Sequence, residues 1–369
     1  MDYLFGRGGG FVKKYKVGII GGTGMVGQRF VSLLAEHPWF EIAEIAASSR
    51  SAGRTYDEVV ASRWALKNDM PEIVKNIVMK DASDVKAVSE NVDFVFSAVN
   101  MDNDEIVRLE ESYAKRECPV VSNNSANRLT PDVPMIIPEV NPEHLNILDM
   151  QKKRLGTKRG FIAVKSNCSI QSYVPALEPF RKSHGIDEIL VCTYQAISGA
   201  GKTFESWPEM IDNVIPFIGG EEEKSEIEPL KVWGNIGSSG IILNDEIKIT
   251  SQCIRVPVLD GHMAAVFVKF KKPIAKDEIL STWQNFSALP QTLKLPTAPK
   301  PAIKYFYEEN RPQTGLDRMN ENGMQFSVGR LREDKLFDYK FVCLSHNTLR
   351  GAAGGAVLLA ELLCAQGYI

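Results

Sequence analysis

Cys168 is the residue whose type and place could do the most chemistry. It lies in Lys165-Ser-Asn-Cys168-Ser-Ile-Gln171, where the hydrophobic run Phe161 to Val164 gives way to a segment with helical spacing. A thiol at such a junction faces the unpaired N–H groups of a helix's first turn. Their partial positive charge favours the thiolate, the form that attacks carbonyl carbon. The other reading of this window is a small buried hydrophobe, the commoner fate of a free cysteine.

A second cluster suits phosphate. Gly22, Gly24 and Gly27 in Gly21-Gly-Thr-Gly-Met-Val-Gly27 follow the short apolar run Tyr15 to Ile20 and precede Val26, Phe30, Leu33 and Leu34 at helical spacing. Strand, glycine turn and helix in that order let the backbone N–H groups close on a pyrophosphate, with Thr23, Gly24, Met25 and Val26 at the turn. A purely structural glycine turn is the alternative. The next apolar run, Glu41 to Ala47, ends in Ser48-Ser49-Arg50-Ser51. An acidic residue there would accept from a ribose 2′-hydroxyl, whereas hydroxyls and a guanidinium suit a 2′-phosphate, so the expected cofactor is NADP rather than NAD. Read blandly, the same four residues are an ordinary polar loop.

These residues need elements to hold them. A third strand of the first unit is expected over Val92 to Ala98, with Ser97 near its end as a cofactor contact, then an amphipathic helix through Ile106, Leu109 and Tyr113. Pro119-Val-Val leads to the polar loop Ser122 to Arg128, placing Asn124 and Arg128 where the carboxyl ends of such strands face a ligand crevice. Arg128 reads as an anion clamp or as a solvated loop arginine. After Cys168 the helical spacing runs to His184-Gly185, and Pro175 and Pro179 require a kink or an irregular first turn. Beyond residue 186 the runs Ile189 to Ala196, Glu246 to Val256 and Ala264 to Phe270 read as a second, mostly antiparallel sheet. The glutamate-rich stretch between them reads, on its own, as a solvated face. The small-residue segment from Asn347 reads as a helix returning to the first unit. The fold class is thus α/β: a Rossmann-type dinucleotide-binding domain, 16–167 plus 346–369, with a second α+β, mostly antiparallel catalytic domain, 168–345. Residues 1–15 form an N-terminal extension.

Composition narrows the classes. The chain has 369 residues, 44% hydrophobic and 24% charged, enough for two cores, and a net charge of −3 argues against nucleic acid or an anionic membrane as partner. No uncharged apolar run reaches the roughly 18 residues of a membrane span, and the first ten residues lack the apolar stretch of a secretory signal. The six cysteines lie at least 21 residues apart, without CxxC pairs, so no metal site is expected and a reducing cytoplasm fits.

Together, the glycine turn, Ser-Asn-Cys-Ser, Gln195-Ala-Ile-Ser-Gly-Ala-Gly201, Arg255-Val-Pro-Val-Leu-Asp-Gly-His262 and Asn347-Thr-Leu-Arg-Gly-Ala-Ala-Gly make the chain from Val17 onward resemble the aspartate-semialdehyde dehydrogenases, most closely the archaeal and fungal branch. The resemblance implies NADP-linked, phosphorylating interconversion of aspartate 4-semialdehyde and 4-aspartyl phosphate in amino-acid biosynthesis. It also implies inorganic phosphate as co-substrate and a homodimer or homotetramer formed through 168–345, the catalytic and dimerisation domain. By the same resemblance Cys168 is the nucleophile, His262 the acid/base and Gln195 the residue orienting the acyl group. Arg255 holds the substrate carboxylate, Glu221 and Lys224 meet its ammonium and the phosphate, Arg128 shares the phosphate, and Asn347 bonds the nicotinamide amide. Residue chemistry alone does not choose His262 over His37, His144, His184 or His346, and the run of three glutamates leaves the register of Glu221 open. Two other readings remain at this point: a malonyl-CoA reductase on the same framework, and an NADP-binding regulatory protein with a dead site.

Overall fold

The computed structural model describes residues 14–369, so the expected N-terminal extension lies outside the described residues except for its last two positions. Tyr15 belongs to the first strand. Two sheets organise the chain. The first is parallel and seven-stranded, built from β1 (Tyr15–Ile20), β2 (Phe40–Ala47), β3 (Lys80–Asp81), β4 (Phe94–Ser97), β5 (Val120–Ser122), β6 (Met135–Ile136) and β7 (Ile162–Lys165), in the order β3-β2-β1-β4-β5-β7-β6. Its central strands are buried on both faces, which is why they read as unbroken apolar runs. The strand expected over 92–98 is fourth rather than third in chain order. The two-residue edge strands β3 and β6 are too short to leave a pattern.

On one face of this sheet lie α1 (Met25–Leu34) and, from the far end of the chain, α5 (Gly354–Ala365). Their side chains interlock with those of β1, β2 and β4 in one apolar cluster, where Phe30 stacks on Phe96 with ring centroids 4.6 Å apart. The expected return of the C-terminal helix is observed. It is entered through one π-helical turn, Leu349–Ala353. On the other face packs α2 (Asn103–Lys115), whereas α3 (Val174–Ser183) lies against the second sheet. As the prolines require, α3 is preceded by a separate 3-10 turn, Ile170–Ser172, and holds Pro175 in its first turn.

The second sheet has six strands: β8 (Ile186–Gln195), β9 (Lys248–Arg255), β10 (His262–Phe270), β11 (Ile303–Phe306), β12 (Phe326–Glu333) and β13 (Tyr339–Ser345). Their order is β9-β8-β10-β13-β12-β11. Its centre is antiparallel, but β9 runs parallel to β8 and β11 parallel to β12, so the sheet is mixed. Strand β10 alternates buried and half-buried residues from His262 to Phe270, as a strand covered on one face should. The covered face packs through Trp283 and Phe180 onto α3. Helix α4 (Glu221–Val232) lies across β9 and reaches back toward the first sheet. No helix among the described residues is long and apolar enough to cross a membrane.

Candidate active site

Strand β7 delivers the chain, fully buried, to Ser166, Asn167 and Cys168. The turn is fixed by Asn167, whose Oδ1 accepts from the Ser169 amide at 2.7 Å and from Ser169 Oγ at 2.8 Å. His262, the first residue of β10 and wholly buried, places Nε2 3.4 Å from Cys168 Sγ. Its Nδ1 accepts the Ala196 amide at 3.0 Å. Two glycines make room for this pair. A Cβ on Gly351 would stand 2.8 Å from Cys168 Cβ, and one on Gly199 3.1 Å from the imidazole Nε2. Burial, with Arg255 and His346 adding to it, holds the His262 imidazole well below its ordinary range, so the ring is neutral. Burial and the Glu221 charge push the Cys168 thiol up, opposed by Lys165, Arg128 and Arg255. The expected help from a helix N-terminus is not where the sequence suggested. The first full helix after Cys168 starts at Val174, and only the short 3-10 turn intervenes.

The glutamate register is resolved by geometry. Glu221 turns inward at the start of α4, accepting from Lys224 Nζ at 3.0 Å, Gln195 Nε2 at 3.2 Å and Asn167 Nδ2 at 3.1 Å. Glu222 instead holds Gln252 and the Cys253 amide of β9, and Glu223 is exposed. Burial raises Glu221, but the Lys224 charge and these hydrogen bonds outweigh it and keep the carboxyl below its ordinary range. Arg255, at the end of β9, gives Nη1 to the Ala196 carbonyl at 2.7 Å and lies against the same imidazole. A cavity of about 430 Å³ has Cys168, Glu221, Lys224 and Asn124 in its lining.

Three sequence expectations change in detail. Arg128 also borders the cavity, but its guanidinium is committed to Glu228 at 2.9 Å, the Lys165 carbonyl at 3.1 Å and the Asn123 carbonyl, so it braces two loops instead of standing free as a clamp. Asn347 borders the cavity with its amide already engaged, accepting from the Gly261 amide at 2.8 Å and donating to Ser198 Oγ at 2.9 Å. Ser97 is fully buried; its hydroxyl accepts from Asn124 Nδ2 at 2.9 Å and offers nothing directly to a ligand.

The glycine turn forms a second cleft of about 540 Å³ that meets the first at Val99, Asn100 and Met101. Gly21 takes φ +84°, and a Cβ on it would lie 2.3 Å from the Ala98 carbonyl oxygen. A Cβ on Gly27 would lie 2.4 Å from the Gly21 carbonyl oxygen. The working spacing is therefore Gly21, Gly24, Gly27, while Gly22 is small to clear Ile45. Thr23, Gly24, Ser48, Ser49 and Arg50 line this cleft, whereas Val26 faces the Cys168 cavity, Met25 an adjoining one, and Ser51 is buried with its amide on the Ser48 carbonyl. A bare backbone cradle, two serine hydroxyls and Arg50 fit a dinucleotide with a 2′-phosphate. Arg63 joins the same lining, a second guanidinium that no local pattern marked.

Comparison with known proteins agrees with this geometry. Residues 16–148 match the family model "Semialdehyde dehydrogenase, NAD binding domain", and residues 177–350 match "Semialdehyde dehydrogenase, dimerisation domain". The aspartate-semialdehyde dehydrogenase of Methanothermobacter thermautotrophicus is 43% identical over 349 residues, 94% of this chain and 98% of that protein. That of Schizosaccharomyces pombe is 43% identical over 360 residues, 96% and 99% of the two chains. The crystal structure of aspartate-semialdehyde dehydrogenase with NADP from Candida albicans superposes with a TM-score of 0.87 at 37% identity, covering 97% of this chain and all of that one.

Proposed function

The chain belongs to the aspartate-semialdehyde dehydrogenase family, and on that premise we propose how its own residues interconvert L-aspartate 4-semialdehyde and 4-aspartyl phosphate. The observation that carries the reading is the 3.4 Å approach of His262 Nε2 to Cys168 Sγ, at a cavity walled by Glu221 and Lys224 and joined to the glycine-turn cleft. In the oxidative direction the Cys168 thiolate adds to the aldehyde carbon, and the oxyanion of the resulting thiohemiacetal accepts a hydrogen bond from His262 Nε2–H. The Gly21–Gly27 turn with Ser48, Ser49 and Arg50 would hold NADP, which would supply the hydride acceptor in this direction and the donor in the other. As hydride leaves the carbon, the oxyanion collapses to the thioester carbonyl and His262 keeps its proton. Phosphate oxygen then attacks the thioester carbonyl, the carbon–sulfur bond breaks, and the thiolate is restored. Arg255 holds the substrate carboxylate, Gln195 steers the acyl oxygen, Glu221 meets the ammonium, and Lys224 meets the phosphate.

Residues 16–167 with 346–369 serve as the cofactor unit in this reading, and 168–345 as the catalytic and self-associating unit. A homodimer, or a pair of them, is supported by the exposed apolar side chains Ile211, Val214 and Phe217 in the second unit. Six unpaired cysteines suit a reducing cytoplasm. Biosynthesis of lysine, threonine and methionine is the setting. The deciding assay supplies purified protein with aspartate semialdehyde and NADP, with and without phosphate, and separately with malonyl-CoA and NADPH. Phosphate-dependent NADPH formation is expected. Ready reduction of malonyl-CoA, or oxidation indifferent to phosphate, would overturn the reading.

A further inference from the structure

Lys165 takes no part in the route above, yet its environment is the least ordinary of any charge in the site. It ends β7 three residues before Cys168, borders the same cavity and is only 2% exposed. Its Nζ donates to the Gly351 carbonyl. Gly351 is the residue packed directly on Cys168, so ammonium and sulfur are held by one wall.

The acidic groups nearby already have partners. Glu228 of α4 binds Arg128 at 2.9 Å and the Asn167 amide at 2.5 Å; Glu221 binds Lys224, Gln195 and Asn167. From β9 Arg255 faces the sulfur, from β10 the neutral His262, and from the loop after β5 Arg128; none of these is acidic. Among the described residues Lys165 has no carboxylate within ion-pair distance, and its one hydrogen bond goes to a carbonyl. A buried ammonium so placed needs a counter-charge. The Cys168 sulfur is the neighbour that can acquire one.

We propose that Lys165 is a positioning residue for the nucleophile: its ammonium, anchored on the Gly351 carbonyl, is the counter-ion that holds Cys168 as a thiolate in the free enzyme. This rests on Cys168 being the nucleophile. Burial, with Arg128, lowers Lys165 to about 7, while the Cys168 charge raises it; the same ammonium opposes the upward push on the thiol. Each group's charge thus favours the charged form of the other. Once sulfur is acylated and neutral, the reason for keeping that proton is removed. Lys165 thus supplies what a helix N-terminus would have supplied had α3 begun at Cys168.

The test is the pH dependence of Cys168 alkylation by iodoacetamide in the full-length protein, followed by the mass of the Cys168 peptide, for wild type, Lys165→Gln and Lys165→Met. Glutamine keeps a donor for the Gly351 carbonyl and loses the charge. Both variants should move the midpoint upward by about one unit or more and slow alkylation at pH 7 about tenfold or more, with NADP affinity retained. A shift in Lys165→Met alone would assign the effect to the hydrogen bond and overturn the proposal. An unmoved profile with a raised KM for phosphate would also overturn it, making Lys165 a phosphate ligand. Should neither variant fold, lysine carbon-13 NMR of wild type decides: capping Cys168 as a neutral thioether must lower the Lys165 midpoint, and an unchanged midpoint refutes the pairing. Inactivation that tracks a different cysteine would refute the nucleophile as well, whereas an unmoved profile refutes only the role of Lys165.

Discussion

The Ala196 amide donates to His262 Nδ1 at 3.0 Å, and this bond decides which face of the imidazole chemistry sees. A neutral ring whose Nδ1 lone pair is occupied carries its proton on Nε2, the nitrogen 3.4 Å from Cys168 Sγ. His262 therefore presents a donor to the sulfur and to the oxyanion that forms when the thiolate adds. His262→Ala should lower kcat by about 10²–10⁴ while leaving NADP affinity unchanged, read by steady-state kinetics and cofactor titration. Because burial keeps the ring neutral through the working range, an NMR titration of the His262 ring should show no inflection near the ordinary histidine value of about 6.5. A histidine inflection there would contradict the burial argument.

Cofactor choice should depend on two arginines. Arg50 follows the two cleft serines, and Arg63 reaches the same cleft with Nε tied to the Val59 carbonyl at 2.9 Å, leaving the rest of its guanidinium for a ligand. Both are exposed, so each contact with a 2′-phosphate is worth the lower end of a charge-assisted bond, about 1.5 kcal/mol. Arg50→Ala and Arg63→Ala should each raise KM for NADP about tenfold and leave KM for NAD unchanged. Equal losses with both cofactors would place these residues elsewhere than at the 2′-phosphate.

Stability should fall as pH drops below about 6.5. Burial lowers His346 to about 4, and His262 and His144 move in the same direction. The sign follows from linkage. Above about 6.5 these histidines are neutral folded or unfolded; below it the unfolded chain binds protons that the folded chain refuses until the folded pKa is passed. For His346, 2% exposed, the loss between pH 7 and pH 5 is about 2 kcal/mol. Urea midpoints measured at pH 7, 6 and 5 should decline stepwise. A flat series would mean that these rings take up protons in the folded state.

Much of this was legible because its signals are local. Glycines at fixed spacing, apolar runs covered on both faces and a cysteine after a strand each report their own neighbourhood, and they located a glycine turn after β1 and Cys168 just after β7. What escaped is long-range. Glu228 lies 100 residues from its partner Arg128, and nothing near it distinguishes it from Glu222, Glu223 or Glu226. Arg350, fully buried, pairs with Glu139 across 211 residues and stacks over Phe326, tying the π-helical turn to the segment after β6 and to β12 of the second sheet. A lysine at position 165 reads in sequence as the polar end of a strand, and only the packed structure shows that it never reaches water. The parallel course of β9 beside β8 was equally hidden, because alternation records which face is covered and not the direction of the neighbour.

Lys224 and Glu221 are partners in the free protein at 3.0 Å, and substrate binding should exchange them. The aspartyl substrate brings an ammonium, a carboxylate and a phosphate into one cavity, and each needs an opposite charge once water leaves. If the ammonium takes Glu221, Lys224 is released toward phosphate without either charge passing through an unpaired buried state. Lys224→Ala should therefore raise KM for phosphate by roughly ten- to a hundredfold, the equivalent of about 1.5–3 kcal/mol, while NADP affinity is spared. Glu221→Gln should act on KM for aspartate semialdehyde instead, since the amide keeps the shape and loses the charge that meets the ammonium. The double variant separates an exchange from two independent contacts. With exchange, the combined loss falls short of the sum, because removing one partner has already disturbed the other. Strict additivity of the two losses would show that the pair seen in the free protein has no part in substrate binding.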